Sequence, residues 1–122
     1  MTKIYRISDI SRLTNLSIPT LRYYEDLELL KPKRDLNNYR MFTEKDLTWI
    51  TFIKRAKATG MSLSNIIKYS KLREKGDKTI IDRIDLLQHQ ENILKDEQKR
   101  IQEHIDFLQN KKRYYNRLLN EH

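Results

Sequence analysis

The sequence predicts a mainly helical chain: a small helix-turn-helix head with a β-wing, followed by one long helix. Three observations carry that expectation. A Ser-Ile-Pro helix start at 17–19 closely follows a first segment of apolar periodicity. A basic stretch, an Asn-Asn pair and an alternating Tyr-Arg-Met-Phe segment occupy 31–42. No Pro or Gly occurs after Gly76. With 122 residues, the chain suits one compact domain plus an appendage. A composition of 38% hydrophobic and 34% charged residues is lean for one globule but natural for helices that expose much of their circumference. The charged connector 73–78 is the expected boundary, dividing the chain into 1–76 and 77–122.

Lys3 to Ile7 reads as a short strand, and Ser8 as the cap of a helix whose apolar Ile10 and Leu13 lie three apart. Asn15 tolerates positive φ, so Leu13 to Ser17 reads as a tight turn into a second helix. Ser17 is a good N-cap, and Pro19 is tolerated because first-turn amides have no partner inside the helix. Leu21 and Tyr24, three apart, face a core. Thr20 and Tyr23 then share a neighbouring face with Arg22 beside them. That face can donate hydrogen bonds, carry charge and stack, which are the tools for gripping a nucleic-acid backbone and base edges. An ordinary amphipathic helix with surface Arg and Tyr fits the same residues.

The second helix ends by Leu30, because Pro32 restrains Lys31. Lys33 and Arg34, the turn at Asn37-Asn38 and the strand from Tyr39 to Phe42 then form a β-wing. The strand can pair with Tyr5 to Ile7. The basic side chains before the turn, with Tyr39 and Arg40 after it, suit a phosphate clamp, although a hairpin with no ligand is the alternative. Thr43 caps the third helix with Asp46 reaching back, and Leu47, Ile50 and Ile53 face the core. Lys54, Arg55 and Lys57 project charge near its far end, and Gly60 stops it. Met61 to Asn65 starts a fourth helix, with Ile66, Ile67, Tyr69 and Leu72 as its buried members.

From Thr79 onward, alternate steps of four and three from Ile80 pass through Ile84, Leu87, Glu91, Leu94, Gln98, Ile101, Ile105, Leu108, Lys112, Tyr115 and Leu119. Nine of these twelve positions are apolar, a coiled-coil seam. So narrow a stripe on so long a helix needs a partner helix, most simply that of a second chain. The expected dimer contacts are Ile80, Ile84, Leu87, Leu94, Ile101, Ile105, Leu108 and Tyr115. Glu91, Gln98 and Lys112 interrupt the seam and would fix its register. Asn110 to Lys112 could break the helix, though nothing demands it, and Ile93, Phe107 and Tyr114 lie off the seam.

Charge separates the two halves. The net charge is +8, and residues 1–76 carry 16 Lys and Arg against 8 Asp and Glu, whereas residues 77–122 carry 9 of each sign. A surplus confined to one segment is the footprint of a polyanion site on that segment. The absence of cysteine excludes disulfides, thiolate metal sites and thiol nucleophiles, and two glycines leave no phosphate-cradling loop. No catalytic residue, cofactor or metal is expected. The start of the chain lacks a signal-peptide core and no apolar run would span a bilayer, so the expectation is a cytoplasmic protein with no membrane partner.

Several spaced blocks then occur in order: Ile7-Ser8-Asp9-Ile10-Ser11-Arg12-Leu13-Thr14, Ser17 to Glu25 with its Leu-Arg-Tyr-Tyr-Glu core, Leu29-Leu30-Lys31-Pro32, Asn38-Tyr39-Arg40, Phe42 to Leu47 and Gly60-Met61-Ser62-Leu63. Together they resemble a MerR-type transcription regulator over nearly the whole chain. The resemblance implies a winged helix-turn-helix domain and an antiparallel coiled-coil homodimer. It also implies binding to double-stranded promoter DNA with an overlong spacer, bent and untwisted so that RNA polymerase engages it. By position, Arg22 and Tyr23 match the recognition-helix pair and Thr20 lies where that helix meets the groove. Tyr39 and Arg40 match the wing pair, and Lys57 the basic position near the end of the third helix. Ser17, Lys33 and Arg34 complete the expected DNA face, while Tyr24 can equally be core. Asn15 and Asn38 stand where many members have Gly.

The resemblance says little about an effector. Metal-sensing members use cysteines and aldehyde-responsive ones often a single cysteine, whereas drug-binding members add a large C-terminal domain and this sequence ends at His122. His89 and His104 could approach each other across an antiparallel dimer, but exposed histidines are usually plain surface. A small-molecule pocket would have to form where Tyr114, Tyr115 and Leu118 meet the DNA-binding part. Two other readings stay open: an architectural winged-helix protein resembling a recombination directionality factor, and a coiled-coil adaptor whose basic half binds an acidic protein.

Overall fold

The computed structural model describes residues 3–122. Along them run α1 (Ile7–Thr14), α2 (Ile18–Asp26), β1 (Lys33–Arg34), β2 (Arg40–Met41), α3 (Glu44–Ala58), α4 (Leu63–Glu74), a 3-10 turn at Asp77–Thr79 and α5 (Ile80–Asn120). Contacts divide them into a first unit that ends at Arg83 and a second, Ile84–His122.

In the first unit, α1 begins before Ser8. The backbone N–H of Arg6 donates to the Asp9 carboxylate at 2.9 Å, which satisfies an end group of the helix and places negative charge at its positive end. Ser8 therefore lies inside the first turn, and the expected strand at 3–7 shrinks to one antiparallel bridge between Tyr5 and Phe42. The core side of α1 is Ile10 and Thr14, not Ile10 and Leu13. Leu13 is 52% exposed, and the buried Thr14 hydroxyl donates to the Ile10 carbonyl at 2.7 Å. Asn15 takes the left-handed conformation, φ 59°, and Lys54 of α3 donates to the Thr14 carbonyl. The turn is thus braced from the third helix.

In α2, Ser17 accepts from the Thr20 N–H at 3.2 Å, and Leu21 and Tyr24 are buried as expected. The helix stops at Asp26, earlier than the Pro32 argument requires, because Glu28 turns left-handed, φ 62°. The Leu29 N–H then bonds back to the Tyr24 carbonyl and that of Glu28 to the Glu25 carbonyl, both at 2.9 Å, a Schellman closure without glycine. The closure drops Leu29 and Leu30 into the core, where the Trp49 indole N–H donates to the Leu29 carbonyl at 2.8 Å.

The wing is a two-stranded antiparallel hairpin in which Lys33 faces Met41 and Arg34 faces Arg40. Asp35 builds its turn: one carboxylate oxygen accepts from the Asn37 and Tyr39 N–H groups at 2.9 Å each. Asn38 supplies the positive φ, 65°, that a short hairpin loop demands. Thr43 and Asp46 cap α3 reciprocally, and Gly60, φ 88°, stops it. Ile50, Ile53 and Ile66 are fully buried, and Ile67 and Tyr69 pack partly against the core. Trp49, Phe52 and Tyr69 stack with centroids 4.9 to 6.1 Å apart, and the Arg73 guanidinium lies 4.3 Å over the Trp49 ring. After α4, Thr79 donates to the Leu72 carbonyl at 2.6 Å and Arg83 to the Gly76 carbonyl at 3.2 Å, so the first turn of α5 is tied to the end of α4.

The second unit is the remainder of α5, a 41-residue helix that runs unbroken through Asn110 and is about 60 Å long at 1.5 Å per residue. Asn110 accepts from Arg113 at 2.6 Å on the helix surface. Ile84, Leu87, Leu94, Ile101, Ile105, Leu108, Tyr115 and Leu119 are all exposed, as are Ile93, Phe107 and Tyr114.

Candidate nucleic-acid interface

The N-cap of α2 sets the face that this helix presents. Ser17 starts the helix and Leu21 and Tyr24 anchor it in the core, so Arg22 and Tyr23 between them point away from it and are exposed. Tyr24 is a core residue, only 3% exposed, and burial, with a smaller contribution from Tyr23, pushes its phenol pKa up. Tyr23 is 51% exposed. Arg22 has no ion-pair partner among the described residues. Thr20 is half-buried, its hydroxyl 2.8 Å from that of Ser17, so both hydroxyls serve the cap first.

Beside this face lies an open cleft of about 600 Å³ lined by Arg6, Ile7, Arg22, Arg34, Asn38, Tyr39 and Arg40. Two carboxylates organise its guanidiniums. Glu25, one turn on from Arg22, reaches Arg40 Nε at 2.7 Å with one oxygen and Arg34 Nη2 at 3.0 Å with the other. Arg34 Nη1 also donates to the Asn38 carbonyl at 3.1 Å. Asp35 pairs with Arg6 Nη1 at 2.8 Å, and the Arg6 guanidinium lies 6.0 Å from the centroid of Tyr39. The Asp35 carboxyl is held below its ordinary pKa, first by the Tyr39 backbone N–H and then by Arg6 and the Asn37 N–H. Four guanidiniums against two carboxylates leave the cleft positive, with donors free for an anion.

The structure therefore brings Arg22, Arg34, Tyr39 and Arg40 together around one cleft. Lys33 and Lys57 are exposed but do not line it, nor do Ser17 and Thr20. Sequence reasoning missed Arg6, and also missed that Glu25 and Asp35 hold the arginines. One signal existed for the former: the pairing of Tyr5 with Phe42 carries Arg6 to the side of the wing. Among the described residues no helix is long and apolar enough to cross a membrane.

A helix-turn-helix with a hairpin wing and a basic cleft between wing and second helix defines the winged helix-turn-helix class. Within it, the profile of MerR HTH family regulatory proteins matches residues 5–72 and that described as MerR, DNA binding, matches residues 47–111. The chain belongs to the MerR family. It is 36% identical over 96 residues to the HTH-type transcriptional regulator AdhR of Bacillus subtilis, covering 78% of this chain and 64% of that protein. It is 34% identical over 113 residues to an uncharacterised HTH-type transcriptional regulator of Haemophilus influenzae, covering 91% of this chain and 83% of the other. Its fold superposes on HiNmlR, a MerR family regulator lacking the sensor domain and solved bound to promoter DNA. That match has a TM-score of 0.73 at 31% identity and covers 85% of this chain and 80% of the other. The chain thus spans slightly less than two thirds of the AdhR length.

Proposed function

We propose that this chain is a promoter-binding transcription regulator, without catalytic activity, that works in the cytoplasm as a homodimer. Residues 1–76 form its DNA-binding part and residues 77–122 its dimerisation helix. The observation that carries the reading is the exposed Arg22 and Tyr23 face beside a cleft lined by four arginines. A recognition helix set in a major groove puts such a face on base edges and phosphates, while the wing grips the backbone alongside. Lys33 and Lys57, both exposed, are further candidate phosphate contacts. The exposed seam of α5 supports pairing with a second copy, antiparallel as in the family resemblance. Two heads at fixed spacing suit a symmetric duplex, and distortion of a promoter spacer would then bring RNA polymerase into register. The co-crystallisation of HiNmlR with promoter DNA supports the choice of ligand.

Binding to the duplex upstream of the protein's own gene tests this. Arg22→Ala and Tyr23→Ala should each weaken specific binding by about 1 to 3 kcal/mol while the dimer stays intact, and each lost phosphate contact should reduce the log-log salt slope by about one. Parent-like binding by both variants would misplace the recognition helix.

A further inference from the structure

The two oxygens of Glu25 are spent on two different arginines of the wing, Arg40 at 2.7 Å and Arg34 at 3.0 Å. Among the described residues, no other side-chain hydrogen bond or ion pair joins α2 to the hairpin. The Glu25 side chain is 24% exposed and that of Arg40 20%, so the pair is more sheltered from solvent than an ordinary surface ion pair. Arg40 is held through Nε, and among the described residues neither of its Nη groups has a hydrogen-bond partner. Arg34 is held through Nη1 and Nη2, which leaves Nε free. Both side chains line the cleft that also takes Arg22.

We propose that Glu25 is a positioning residue of the interface: its carboxylate fixes the two wing guanidiniums relative to the second helix, so that Arg22, Arg34 and Arg40 meet a duplex as one preorganised set. The inference rests on the DNA-binding reading above and deepens it. A guanidinium held at one edge loses less rotamer freedom on binding a phosphate than a free one. The negative charge of Glu25 costs some affinity for any duplex, because it opposes the phosphates. Glu25 therefore trades general attraction for register, and its removal should act in opposite directions on matched and unmatched DNA.

The test uses a duplex selected by the parent protein from a randomised pool, beside a scrambled duplex of the same length. Glu25→Gln keeps the shape of the side chain but loses its charge and its second acceptor oxygen. It should bind scrambled duplex as well as or better than the parent and lose about tenfold in the ratio of selected to scrambled affinity. Arg40→Lys should lower that ratio too, and the double variant should be no worse than Glu25→Gln alone, since Arg40→Lys removes part of the same coupling. Thermal unfolding of each variant identifies any loss caused by misfolding, which would lower both affinities and leave their ratio unchanged. A parent-like ratio in Glu25→Gln, equal gains on both duplexes, or losses that multiply in the double variant would overturn the positioning role while DNA binding stands. Failure of the parent to enrich any duplex would overturn the DNA-binding reading, and this inference with it.

Discussion

The core isoleucines of the first unit and the seam of the second meet opposite fates. In the first, Ile10, Ile50, Ile53 and Ile66 are completely shielded from solvent; in the second, Ile101 is 59% exposed and its seam neighbour Leu108 60%. The first unit closes its own core from short elements with chemical stops, each cap fixing which face turns inward. The second has no stop and no second layer, so its apolar stripe has nothing in its own unit to bury against. Periodicity alone thus identifies a face that must be covered, and only the surrounding elements decide whether the same chain covers it.

The largest effect that would break this contrast lies in the core. Ile53→Ala should cost about 3 kcal/mol through lost burial and an incompletely collapsed cavity, seen as a lower midpoint in thermal unfolding. A cost under 1 kcal/mol would mean the core is looser than its burial indicates. Next, in the proposed dimer Ile101→Asp should raise the dissociation constant about 30-fold to 150-fold, equivalent to some 2 to 3 kcal/mol, while leaving the first unit's melting unchanged. Sedimentation at graded concentration reads the former, and a parent-like dimer would sever the seam from pairing. The smallest effect sharpens the picture of the wing. Asp35 has a depressed pKa, so its contribution to wing order is present above the ordinary carboxylate value and is lost as pH falls through its lower folded value. Amide shifts of Asn37 and Tyr39 should titrate below the ordinary carboxylate range. A midpoint at the ordinary value would show that Arg6 and the loop N–H groups do not hold the carboxylate.

What was legible in the sequence was local. Ser17, the Thr43 and Asp46 pair, Asn15, Asn38 and Gly60 each carry their conformational meaning within a few residues, and all five features occur where expected. The Leu21 and Tyr24 spacing likewise set the outward direction of Arg22 and Tyr23. What escaped was chemistry that only the folded chain brings together. Glu28 carries no signal for a positive φ; the demand comes from Leu29 and Leu30, which must turn back to the core. Asp9 displaced the cap from Ser8 because a carboxylate three residues on was the better partner for Arg6 N–H. Arg6 reaches the cleft through a 29-residue separation from Asp35, and Glu25 meets Arg40 across 15. Such pairs are invisible to any window shorter than the turn between them.

Trp49 is the sole tryptophan in the chain, shut in beside Phe52 and Tyr69 under the Arg73 guanidinium. Every indole photon therefore originates in the first unit, and tryptophan emission is blind to the long helix except through changes relayed to that stack. The molecule carries a built-in optical reporter for its head, and in the proposed dimer separation of the two tails would leave that reporter silent until the head itself responded.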